Sequence, residues 1–216
     1  MKKHILCIGD SNTHGYCADA NDCADGGIRF DETQRWTCLL QQLLGDDFLV
    51  IEEGLSGRTT VFADPLHENM DAYSCIYALL KSHEPIDLLI IMLGTNDAKD
   101  RFNVTANEIA IGMERLIAKA IATDCWKNQT NVLLVAPSPI LKGINNTEYV
   151  YTMGAKCAEK SKKLAEQYKM LAEKLNIYFL DAADCQVNTI DFTHLTAKGH
   201  KKLADKIFKI VPSILK

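Results

Sequence analysis

Two short stretches at opposite ends of the chain carry residue types that work together in nucleophilic chemistry. Gly9-Asp10-Ser11-Asn12-Thr13 follows a short apolar run, and Asp191-Phe192-Thr193-His194 precedes the last amphipathic segment. A serine hydroxyl is a poor nucleophile at neutral pH. It needs a base within hydrogen-bond reach, and the base needs a third group that fixes its tautomer. Ser11 is the candidate nucleophile, His194 the candidate base and Asp191 its orienting carboxylate. A spacing of three in a turn can put the Asp and His side chains on one side of a loop. Taken singly, each stretch is better read as ordinary structure: Ser11 as a turn or capping serine, and Asp191 with His194 as an Asx-type turn bearing a surface histidine.

Attack on an acyl carbon also requires donors aimed at the oxygen that becomes negative. Two further stretches offer them. In Gly94-Thr95-Asn96-Asp97 the glycine permits close approach of backbones, and the Asn96 amide can donate. In Glu53-Gly54-Leu55-Ser56-Gly57-Arg58-Thr59-Thr60, Gly57 can present a bare backbone N–H. The bland alternatives are a strand-ending turn and a flexible glycine loop. Ordinary structure throughout would require four independent turns at one edge to carry a nucleophile, two donors and an Asp/His pair by accident. The functional reading is therefore preferred for the set. Asp10, Asn12, His14, Arg58 and Thr95 are the candidates for the substrate pocket.

The elements that must position these residues read as alternating strands and helices. Apolar runs predict strands at His4–Gly9, Phe48–Glu53, Leu88–Leu93, Asn131–Ala136 and Ile177–Leu180. The third is apolar throughout, as suits a central strand buried on both faces. Helical spacing links Ile109, Met113, Leu116, Ile117, Ala120 and Ile121, and then Leu164, Ala165, Tyr168, Leu171, Ala172 and Leu175. It links Leu203, Ile207, Ile210, Val211 and Ile214 in a last helix capped by Thr196. The predicted class is α/β, a three-layer α/β/α sandwich on a five-stranded parallel sheet, with residues 1–216 as one domain. Ligand sites in such sheets lie beyond the C-terminal strand ends, where all four stretches fall. Two longer loops interrupt the pattern, at Tyr16–Gln34 and Ala136–Met153. The first is acidic. Its Asn21, Cys23, Asp25, Gly26, Ile28 and Glu32 match a calcium-loop spacing only in part, with Asn and Cys at two ligand positions. Trp36 has two readings, one flanking a polar substrate and one packed in the core where a helix begins.

Composition narrows the classes. The 216 residues are 47% hydrophobic and 24% charged with a net charge of −4, which disfavours an electrostatic nucleic-acid binder. From Tyr151 onward there are 12 Lys against 7 acidic residues, a bias read as solvated helix faces. No run approaches the roughly 20 apolar residues of a membrane span, and the Met1-Lys2-Lys3 start is not followed by a signal-peptide core. A cytoplasmic location is expected. The eight cysteines form no Cys-x-x-Cys pair, so free thiols are expected, and neither a metal nor a cofactor. Gly54-Leu55-Ser56-Gly57-Arg58 misses the last glycine of a Gly-x-Ser-x-Gly elbow. Neither a Walker loop nor a Gly-x-Gly-x-x-Gly fingerprint occurs.

The four stretches together resemble the SGNH hydrolase superfamily of GDSL-type esterases. Gly9-Asp10-Ser11 matches its nucleophile block, the stretch around Gly57 its glycine block, Gly94–Asp97 its Gly-x-Asn-Asp block, and Asp191–His194 its Asp-x-x-His block. The order and spacing are the family's across essentially the whole chain. The resemblance implies a flavodoxin-like fold, Ser11 as nucleophile, His194 as base and Asp191 as its partner. It implies an oxyanion hole of the Ser11 N–H, the Gly57 N–H and the Asn96 amide, and a small-molecule ester as substrate. The second and third blocks look closest to the arylesterase and acyltransferase branch, some members of which form higher oligomers, so a homo-oligomer is possible. His14 and Tyr16 depart from that branch, which tends to have Trp there. A short-chain serine esterase with possible acyl transfer is the leading expectation. The alternatives are a carbohydrate O-acetyl esterase and, in another class, a noncatalytic acyl- or sugar-binding module.

Overall fold

In the computed structural model, which describes residues 2–23 and 26–215, five parallel strands form one sheet. They are β1 (Lys3–Gly9), β2 (Phe48–Gly54), β3 (Leu88–Met92), β4 (Val132–Ala136) and β5 (Tyr178–Asp181), in the spatial order β2-β1-β3-β4-β5. The helices are α1 (Ser11–His14), α2 (Trp36–Leu44), α3 (Ala72–Ser82), α4 (Ala106–Ile121), α5 (Val150–Met153), α6 (Cys157–Lys162), α7 (Leu164–Leu175) and α8 (Ala197–Ile214). The expected class, sheet and five strands are all present, with strand ends shifted by a residue.

Side chains alternate across a strand, and here that alternation builds two cores. Leu6, Ile8, Leu89, Ile91 and Leu134 pack on the face covered by α3, α4 and α7. Ile5, Cys7, Leu88, Ile90, Leu133 and Val135 pack on the opposite face against Trp36 and Leu40 of α2 and Leu203, Ile207 and Val211 of α8. Burial of each such Leu or Ile stabilises the fold by roughly 1.5–3 kcal/mol. α4 opens on a capping box between Thr105 and Glu108, and Thr196 caps α8 as its sequence suggests. Ile121, placed on the apolar stripe of α4 by its spacing, is 38% exposed because it lies in the last turn. α3 buries Ala72, Ile76 and Leu80, with Tyr73 and Leu79 packed against the same core, and is a helix beyond those expected from the sequence. The loop expected at Ala136–Met153 holds a 3-10 turn at Lys142–Asn146 and the short α5.

One expectation, that the cysteines are free thiols, is corrected in the acidic loop. Cys17 and Cys23 form a disulfide, so the cysteines are not all free thiols; six others are. The antiparallel bridge between Tyr16 and Arg29 folds this loop back, and the Cα atoms of Cys17 and Cys23 lie 6.5 Å apart, within disulfide reach. Cys23 is thereby spent and cannot serve the partial calcium spacing, whose Asp25 lies outside the described residues. Trp36 is core: it is 1% exposed beneath α8, so the reading that placed it beside a substrate does not hold. Its backbone N–H donates to His200 Nδ1 at 3.3 Å.

His200 is fully buried in α8, edge-on to Phe30 at 4.8 Å between ring centroids. Burial, then the charges of His194 and Arg35, hold its imidazole down to about 3. A base held neutral in the fold contributes stability that is complete above the unfolded value near 6.5 and is lost as the pH falls towards about 3. His200→Gln keeps an acceptor and cannot titrate. Its urea midpoint should therefore rise relative to wild type as the pH is lowered from 6.5 to 4, and a pH-independent difference would contradict the buried neutral imidazole.

Candidate active site

β1 ends at Gly9, and Asp10 caps the single turn of α1 by accepting the Asn12 N–H at 2.9 Å. That cap sets Ser11 at the head of α1, with Gly15 closing the turn at φ +89° in the left-handed region. Nearly two hundred residues later, the turn before α8 brings His194 Nε2 to 2.7 Å from Ser11 Oγ. His194 Nδ1 lies 2.5 Å from Asp191 Oδ2. The other Asp191 oxygen accepts the backbone N–H groups of Thr193 and His194 at 2.9 and 3.0 Å, and the Asn188 amide at 2.9 Å. Burial pushes the Asp191 carboxyl up. The hydrogen bond and charge of His194, with the backbone N–H donors, outweigh burial and hold it at about 2. Phe192 adopts φ +61° to let the turn close around this carboxylate.

Two residues that hold this arrangement carried no such signal in the sequence. Asn188 accepts the N–H groups of Ile190 and Asp191 through Oδ1 and donates through Nδ2 to Asp191 and to the His194 carbonyl. Its one legible feature is that it precedes Asp191 by the same three residues that separate Asp191 from His194. Asn12, expected in the pocket, accepts the Leu195 N–H at 2.9 Å and so ties the serine turn to the histidine turn. The Tyr16 ring lies 4.5 Å from the His194 ring at 53°, covering the imidazole.

The other two stretches converge on the same edge. Gly57 takes φ +93° in the loop after β2, a conformation that favours glycine. Among the described residues, neither its N–H nor that of Ser11 has an acceptor. Asn96 is 7% exposed and gives one amide hydrogen to the Arg58 carbonyl at 3.2 Å, which leaves a second hydrogen on that nitrogen. Gly94 is required on two counts: its φ of +120° strains any side chain, and a Cβ there would lie 2.5 Å from the Tyr168 hydroxyl, which donates to the Leu93 carbonyl. Asp97 is buried beside these donors and is pushed up to about 6 by its desolvation.

The pocket candidates lie mostly deep in the fold. Asp10, Asn12, Arg58 and Thr95 are all under 9% exposed. The Arg58 guanidinium donates to the Gly9 and Glu53 carbonyls, locking the ends of β1 and β2 together. His14 is half-buried and its carbonyl accepts Arg29 Nε at 2.8 Å. Among the described residues, no group of three or more His, Cys, Asp or Glu side chains is arranged to hold a metal, and no helix is long and apolar enough to cross a membrane.

Residues 7–202 match the model of the GDSL-like lipase/acylhydrolase family. An aryl esterase from M. smegmatis is similar at 34% identity and a TM-score of 0.88, over 99% of this chain and 100% of that one. A carbohydrate acetylesterase from Sinorhizobium meliloti is similar at 35% identity and a TM-score of 0.87, over 99% and 100%. An acetylxylan esterase of Xylanibacter ruminicola is 27% identical over 94% of this chain, which spans 42% of that protein's length.

Asn188→Ala strips the part-buried N–H of Ile190 and the buried N–H of Asp191 of their acceptor, and should lower unfolding free energy by about 1–3 kcal/mol. Urea denaturation checks this. An unchanged midpoint would mean that the turn holds itself without Asn188.

Proposed function

The chain belongs to the GDSL-like lipase/acylhydrolase family, and from that premise we propose that it is a serine esterase that cleaves short-chain acyl esters through an acyl-enzyme. The observation that carries this reading is the unbroken chain from Ser11 Oγ to His194 at 2.7 Å and on to Asp191 at 2.5 Å. His194 Nε2 takes the Ser11 proton as Oγ attacks the ester carbonyl, and Asp191 stabilises the resulting imidazolium. The Ser11 N–H, the Gly57 N–H and the free Asn96 amide hydrogen receive the oxyanion. His194 then protonates the departing alcohol. Water, deprotonated by His194, attacks the acyl carbon and restores Ser11. An alcohol or peroxide taking the place of water would make the same site an acyltransferase. No step calls on a metal or an organic cofactor.

A carbohydrate O-acetyl esterase is the second reading, and one feature favours it. A polar cleft of about 300 Å³, lined by Asp19, Asn21, Gln186, Thr189 and Lys198 among others, abuts the turn that carries Asp191. Its carboxylate, amide, hydroxyl and ammonium groups suit a hydroxyl-rich alcohol half. The two relatives named for acetylated carbohydrates agree with this reading.

A fluorophosphonate probe should label the wild-type protein and not Ser11→Ala. An unlabelled wild type would favour a noncatalytic acyl- or sugar-binding module. Asn96→Ala should cost roughly 100- to 1,000-fold in kcat, and near-wild-type turnover would defeat the oxyanion assignment. Between the two ester classes, kcat/KM on p-nitrophenyl acetate and on acetylated xylo-oligosaccharides decides. Preference for the aryl ester retains the first reading, and preference for the sugar replaces it with the second.

A further inference from the structure

The donor at Gly57 sits in an exposed loop, yet its usefulness depends on being held against Asn96. Leu55 and Ser56 are exposed, and the chain becomes buried only at Arg58. What grips it there is a pair of adjacent side chains from the loop after β3. Asn96 Nδ2 donates to the Arg58 carbonyl at 3.2 Å. Asp97 Oδ1 accepts both the Thr60 N–H at 2.9 Å and the Thr60 hydroxyl at 2.5 Å. The gripped residues, 58 and 60, follow directly on Gly57.

We infer that Asp97 is a positioning residue that clamps the Gly57 loop to the Asn96 loop so that their two donors converge on one oxygen; this rests on the esterase reading above. A carboxylate is a costly means of merely filling space here. Its side chain is wholly buried, its Oδ2 has no partner among the described residues, and it lies within the field of the equally buried Asp10. Desolvation raises its affinity for a proton accordingly. What the carboxylate supplies is a short bond to a hydroxyl and a backbone N–H at once, stiffer than a neutral acceptor provides. Thr60 cannot drift without breaking both, and its own backbone is anchored by the Tyr73 N–H of α3, which donates to the Thr60 carbonyl at 3.0 Å.

The test is kinetic. On p-nitrophenyl acetate, Asp97→Ala should lower kcat about 10- to 100-fold while KM moves less than about threefold, because only transition-state binding is lost. The inhibition constant of an arylboronic acid, whose tetrahedral serine adduct needs the same donors, should rise by a similar factor. Asp97→Asn keeps the acceptor oxygen and should recover a large part of that loss. In an Asn96→Ala background, Asp97→Ala should cost less than about threefold more, since both act on one group of donors. Should Asp97→Ala fail to fold, Thr60→Val removes only the hydroxyl arm and should lower kcat about 3- to 10-fold with the same KM pattern. Unchanged kcat in both Asp97→Ala and Thr60→Val, or a fall in kcat with boronate affinity intact, overturns the inference. Turnover retained in Ser11→Ala overturns the esterase reading itself. Turnover lost in Ser11→Ala but intact in Asp97→Ala and Thr60→Val removes the clamp alone.

Discussion

Every other feature depends on one constraint: alternate side chains of β1, β3 and β4 must be buried on opposite faces of a single parallel sheet. Parallel strands cannot be joined by tight turns, so each needs a crossover that lays a helix on one face or the other. All strand C-termini then lie at one edge. In the order β2-β1-β3-β4-β5 the connections after β1 and β3 leave towards opposite faces, and a crevice opens between them. Ser11 stands at one lip of that crevice and Asn96 at the other.

Within that frame, the site is built less by packing than by buried polar groups that satisfy one another across loops. Asn12 reaches the histidine turn, Asn96 and Asp97 reach the glycine loop, and Arg58 reaches the ends of two strands. Each such bond contributes about 1 kcal/mol net, whereas breaking one half of a buried pair costs more. The loops after β2 and β3 and the turn before α8 are therefore held to one geometry although they lie outside any helix or strand. The same logic accounts for Asn12 and Arg58, expected in a pocket, whose buried polar groups bond to another turn and to two strand ends.

Much was legible because local chemistry left no alternative. The continuous apolar run at Leu88–Met92 had to be a doubly buried strand, and the Thr196 cap had to begin a helix. The four chemical stretches were legible because each combines a scarce residue with a glycine or Asx turn at a strand end. α3 was legible only as a short repeat of Ala72, Ile76 and Leu80 at helical spacing. The role of Asn188 was not legible, because an Asn in a polar loop looks the same whether it caps a turn or faces water. The disulfide was not, because the closing contact between Tyr16 and Arg29 is made by backbone and leaves no mark on residue type.

The sequence by itself determined the residue types, the strand-end positions and therefore the class of chemistry open to Ser11, His194 and Asp191. Periodicity and turn chemistry are local, and local patterns are written in residue order. Only the tertiary structure decided that His194 meets Ser11 at 2.7 Å, that Trp36 belongs to the core and that Arg58 faces inward. It alone brings Asp97 under the glycine loop. Those facts join residues far apart in the chain, and their distances are set by the sum of packing across the whole sheet, which no single stretch encodes.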